Sequence, residues 1–102
     1  MSTKRKSAVR YLEKLVGPLR LGKLLQSIRL AEELGLADFA DKLNISKSHL
    51  CDIEKGRKSV SPERAVAFAD ILHYSQEQFV RLSLQELVDR GGLEMVVRVE
   101  AV

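Results

Sequence analysis

Residues 36–56, LADFADKLNISKSHLCDIEKG, constrain the fold of this chain more than any other stretch. Phe39, Ala40 and Leu43 lie three or four residues apart, so they share one helical face. Leu50 and Ile53, three apart, do the same in a second run. Between the runs lies Leu43-Asn44-Ile45-Ser46, too short for a long loop. Asn44 is among the few non-glycine residues that tolerate a left-handed backbone. Ser46 is placed to cap the following helix, its hydroxyl taking a free N–H of the first turn. Two helices joined by so short a turn must cross steeply, because there is no chain to lay them side by side. Ala40 falls where they approach most closely, and a larger side chain there would wedge them apart.

That geometry is a helix-turn-helix, and the stretch resembles the phage-repressor (Cro-type, XRE) DNA-binding domain. The matching residues are Phe39-Ala40, Leu43-Asn44-Ile45-Ser46, Leu50 and Ile53-Glu54-Lys55-Gly56, followed by Arg57-Lys58. The resemblance covers roughly residues 21–87. It implies an all-α fold, a compact five-helix bundle of the lambda-repressor-like type. Two positions depart from the family pattern. Its second helix usually opens with a Ser or Thr cap and then a Gln that touches a phosphate; here Gly35 and Leu36 stand there. The turn glycine is replaced by Asn44.

A chain of 102 residues makes one domain with a modest core. Its net charge of +3 is small but unevenly spread. Residues 1–24 carry seven basic side chains against Glu13 alone. Residues 44–58 carry Lys47, Lys55, Arg57 and Lys58 against Asp52 and Glu54, and residues 84–102 are net acidic. A patchy positive field suits a polyanion; the alternative is that these cations simply solvate a surface. Cys51 is the single cysteine, so no internal disulfide forms and nothing points to an oxidising compartment. The basic start MSTKRKS is not followed by the apolar core of a signal peptide. No apolar run approaches the roughly 20 residues that cross a bilayer. The expected location is cytoplasmic, with no membrane partner.

The sequence divides into a basic extension over 1–18, the helical domain over 19–90 and a tail over 91–102. Within the extension, Val9, Leu12, Leu15 and Val16 predict a short amphipathic helix that Gly17-Pro18 ends. The next helix is predicted over 19–34, with Leu21, Leu24, Leu25, Ile28, Ala31 and Leu34 in one apolar stripe and Gly35 as its stop. Helices over 36–43 and 47–55 follow, the latter closed by Gly56. Ser61-Pro62-Glu63 combines a cap, a first-turn proline and a first-turn acid. The helix it starts runs to about His73, burying Ala65, Val66, Phe68, Ala69 and Leu72. Ser75 to Gln78 has the form of a capping box. The last helix carries Phe79, Leu82, Leu84, Leu87 and Val88 to about Arg90, where Gly91-Gly92 stops it.

In the tail, Met95, Val97, Val99 and Ala101 alternate with Arg98 and Glu100, which predicts a β-strand. A lone strand leaves its backbone groups unpaired, and no other stretch reads as strand. The predicted partner is therefore a second copy, with Val97, Arg98, Val99 and Glu100 at the dimer contact. Pairing about Val99 sets Arg98 of one chain opposite Glu100 of the other. The alternative is a disordered tail.

The family resemblance makes the helix over 47–55 the recognition helix. By position, Lys47, Ser48 and Asp52 would then point at base edges. Asp52 has an equal alternative, a surface ion pair with Lys55 or Lys47. Ser46, His49, Lys55, Arg57 and Lys58 would contact the DNA backbone, positioning the protein without reading sequence. Cys51 lies beside them. Glu54 is expected to bond a nearby basic side chain or backbone N–H rather than DNA. No cysteine pair, His-x-x-x-His or glycine-rich phosphate loop occurs, so no metal, cofactor or catalytic site is expected. His49 and Cys51, two apart on a helix, face different directions, and His73 reads as a surface or capping residue. The expected function is a sequence-specific transcriptional regulator, a repressor acting as a homodimer on double-stranded DNA. The alternatives are the antitoxin of a toxin–antitoxin pair, holding a toxin protein through the extension or the tail, and a protein–protein module without DNA binding.

Overall fold

The computed structural model describes residues 19–102, and all regular structure in that range is helical. The helices are α1 (Leu21–Ala31), α2 (Leu36–Leu43), α3 (Lys47–Glu54), α4 (Pro62–Leu72) and α5 (Gln76–Arg90). The predicted helix within 1–18 lies outside the described residues.

Three of the five helices, α3, α4 and α5, start at a serine cap. The Ser46 hydroxyl accepts from the His49 N–H at 3.0 Å, and Ser61 and Ser75 do the same for Arg64 and Gln78 at 3.2 Å. Only half of the capping box at Ser75 forms, because the Gln78 side-chain carbonyl accepts from Arg81 instead. α2 begins at Gly35 with no side-chain cap, as the missing Ser or Thr implies. Asn44 takes the left-handed conformation at φ 60°, ψ 41°, and turns the chain between α2 and α3.

α1 is shorter than its predicted span. Glu33 adopts a left-handed φ of 57°, so the helix breaks two residues before Gly35, which is extended rather than a stop. Ala31, expected in the apolar stripe, is consequently exposed. Two lesser corrections are Val66, which is only half-buried, and Leu87, which is 52 % exposed on α5.

The core joins Phe39, Phe68 and Phe79 with Leu21, Leu25, Leu50, Ile53, Ala65 and Ala69, all nearly inaccessible. Val60, in the loop before α4, also enters this core at 3 % exposure. α4 packs most extensively against α5, and α3 is backed by α1 and α2. The α1–α3 approach is close enough to exclude a side chain: a Cβ on Gly22 would overlap the Ile53 carbonyl oxygen. Gly22 therefore sets how tightly α3 is held from behind, a role that hydrophobic periodicity did not signal.

The strand expected over the tail is not formed within the single chain. A strand needs a ladder partner, and no described residue supplies one. After Gly92 (φ 73°), the tail is held instead by one side chain: Gln85 donates to the Met95 carbonyl at 2.8 Å and accepts from the Val97 N–H at 2.7 Å.

Candidate nucleic-acid interface

α3 has one face inside the molecule and one outside. Leu50 and Ile53 face the core, while Lys47 and Ser48 project from the first turn into solvent. The inner face is fixed further by Glu54. Its carboxylate is 3 % exposed and takes two hydrogen bonds from the Arg29 guanidinium, at 2.8 and 3.0 Å. Arg29 also donates to the Leu34 carbonyl at 3.0 Å. One side chain thus ties α1, the α1–α2 loop and the end of α3 together. This is the inward structural role expected of Glu54.

The end of α3 is cut sharply. Gly56 takes a φ of 77°, the left-handed turn that glycine makes without strain. The N–H groups of Arg57 and Lys58 then return to the Asp52 carbonyl at 2.8 and 3.2 Å. From α5, Arg90 donates to the Gly56 carbonyl at 2.8 Å. The loop that carries Lys55, Arg57 and Lys58 is therefore anchored at its base while its side chains stay exposed.

Asp52 is engaged by that loop rather than by Lys47 or Lys55. One carboxylate oxygen takes a 2.8 Å hydrogen bond from Arg57, and the other lies 3.8 Å from the Lys58 ammonium. The Arg57 bond, with help from the charge on Lys58, holds the carboxyl below its usual pKa, so it is ionised at neutral pH. Arg57 also lies 3.8 Å from the Cys51 sulfur. These contacts set the direction of the Arg57 guanidinium along the outer edge of α3.

His49 is half-buried on the same edge, with Arg64 of α4 donating to its Nδ1 at 2.9 Å. Loss of solvation lowers its pKa first, and the Arg64 and Lys58 charges lower it further, with Asp52 opposing. The ring is accordingly neutral at neutral pH and accepts from Arg64. Sequence reasoning missed Arg64. The one signal for it was placement, since a cation in the first turn of a helix runs against the helix dipole.

The outer surface thus gathers Ser46, Lys47, Ser48 and His49 from the start of α3, Lys55, Arg57 and Lys58 from the loop, and Arg64 from α4. The Ser46 oxygen is used as an acceptor by its cap, which leaves its O–H free to donate outward. Such a cation-rimmed helix end carries the sign of charge that a polyanion attracts. Among the described residues no group of three His, Cys, Asp or Glu side chains is placed to hold a metal ion, and no helix is long and apolar enough to cross a membrane.

A family model described as a helix-turn-helix domain matches residues 20–82. The comparison with curated proteins returned no match. The matched span begins just before α1, takes in the α2–turn–α3 unit and α4, and ends within α5.

Proposed function

The chain belongs to the helix-turn-helix domain family, and from that premise we propose that it is a sequence-specific DNA-binding regulator of the phage-repressor type. In this reading it is a repressor, acting in the cytoplasm as a homodimer on a near-palindromic operator. The observation that carries the reading is the two-sidedness of α3. Leu50, Ile53 and Glu54 are buried behind it, while Lys47 and Ser48 stand free on its leading turn. Lys47 is the residue for a guanine edge, and Ser48 serves either a donor or an acceptor. Ser46, His49, Lys55, Arg57 and Lys58 rest on the phosphates, and Arg64 adds charge beside His49. Asp52 aligns Arg57 and Lys58 for that task, and its remaining lone pairs serve to accept from a cytosine. A selection of bound sequences from random duplex DNA tests the proposal. It should return two related half-sites about one helical turn apart; failure to enrich any sequence would contradict base reading.

A second reading rests on the tail, where Leu93, Met95 and Val96 leave apolar surface exposed. An antitoxin would cover such a surface with its toxin while its recognition helix represses the shared operon. Co-purification with a second, stoichiometric protein from the native cell would favour this reading, and its absence would favour the first.

A further inference from the structure

The tail is held along one of its two edges. Gln85 bonds the carbonyl of Met95 and the N–H of Val97. In an extended chain, the carbonyl of one residue and the N–H two residues on point to the same side. A side-chain amide offers a donor and an acceptor side by side, so Gln85 takes the place of a neighbouring strand at one rung. Over residues 96–100 burial alternates to match: Val97 and Val99 are half-buried, while Val96, Arg98 and Glu100 are exposed, as are Met95 and Ala101 on either side. The backbone groups of Val96, Arg98 and Glu100 point to the opposite edge, where no described residue bonds them.

We propose that this open edge is the dimer contact, and that Gln85 selects which edge pairs by occupying the other, while Arg98 and Glu100 select the register. The inference rests on the homodimer in the reading above and specifies its geometry. Antiparallel pairing through the open edge makes hydrogen-bonded rungs from the even-numbered residues. A two-fold axis at Val99 then sets Arg98 opposite the partner subunit's Glu100, twice per dimer, as charge-complementary rungs. Moving the axis by one residue toward either end sets Arg98 against Arg98 or Glu100 against Glu100, and like charges directly opposite are unfavourable. A two-stranded ribbon alone is marginal, but here each strand is already ordered on α5, so less freedom is lost on pairing.

Sedimentation velocity of the full chain over a dilution series tests this, with helix content followed by circular dichroism. Wild type should dimerise. Arg98→Glu and Glu100→Arg should each weaken the dimer about threefold or more, and the double swap should restore it. Gln85→Ala, with helix content unchanged, should weaken it about tenfold. A monomeric wild type, with another protein or the chain's own extension on that edge, would overturn the inference. So would a double swap as weak as the single changes, or a Gln85→Ala dimer of undiminished strength. DNA binding by the same samples reports separately on the proposed function. A dimer with the expected swap pattern that ignores DNA supports this edge and removes that function.

Discussion

The Arg29–Glu54 pair is a buried bidentate contact, with side chains 12 % and 3 % exposed. Removing Glu54 leaves the largely buried Arg29 guanidinium with only the Leu34 carbonyl as a partner, a cost greater than anything the intact pair contributes. Glu54→Ala should therefore lower the unfolding free energy by about 3–5 kcal/mol in urea titrations; a loss under about 1 kcal/mol would mean that water reaches the pair. His49 gives a pH dependence of known sign. Burial, and then Arg64 and Lys58, hold its folded pKa below the ordinary histidine value of 6.5. The unfolded chain therefore takes up the proton first as the pH falls. The stability held by neutral His49 is complete above about pH 6.5 and is lost progressively below it. His49→Gln should flatten the melting temperature against pH in that window. The lowered pKa of Asp52 acts separately, in more acid solution below 3.8. At this scale the sequence revealed what a residue must avoid better than what it meets. The motif placed Glu54 inward, but its partner lies 25 positions away. Asp52 had two candidate partners, Lys55 three residues on and Lys47 five residues back, and the chain's turn at Gly56 brought Arg57 and Lys58 to it instead.

The helix starts were legible because each cap is a local event. Ser46, Ser61 and Ser75 all accept the N–H three residues on, and a four-residue window contains both partners. Ends and close approaches were less legible. α1 stops at Ala31 because Glu33 turns left-handed, which no composition rule favours over the nearby Gly35. Gly22 has no signature in the helical pattern, because the Ile53 carbonyl that excludes a Cβ there comes from a distant part of the chain. Two effects compete at this position. Alanine gains about 1 kcal/mol of helix propensity over glycine, while forcing a side chain into a filled contact costs about 1–3 kcal/mol or more. Here the obstacle is backbone, which cannot swing aside, so the clash wins. Gly22→Ala should lower stability by at least about 1 kcal/mol, whereas a stabilised variant would show that α1 and α3 lie further apart. The tail shows the opposite limit. Of the face predicted from Met95, Val97, Val99 and Ala101, only Val97 and Val99 are half-buried; Met95 and Ala101 are exposed, as are Arg98 and Glu100. Strand formation depends on a partner that periodicity cannot supply.

Across the whole molecule, the small net charge of +3 conceals a division of labour. Carboxylates near α3 are spoken for, Glu54 by Arg29 and Asp52 by Arg57 and Lys58, which leaves the exposed rim with its cations outermost. If that rim lies on phosphates, binding to duplex DNA must weaken steeply with salt. Each of Lys55→Ala, Arg57→Ala and Lys58→Ala should then reduce the slope of log affinity against log salt by about 1, on any sequence. A slope unchanged by one of these substitutions would remove that residue from the phosphate contact. The account as a whole depends on α3 presenting its first turn to base edges while the loop behind it grips the backbone. Lys47→Ala separates those tasks most directly, by fluorescence anisotropy on the selected half-site pair and on random duplex in the same buffer. The selected site should lose about 1–3 kcal/mol more than the random duplex, and equal losses on the two would contradict a reading role for this helix.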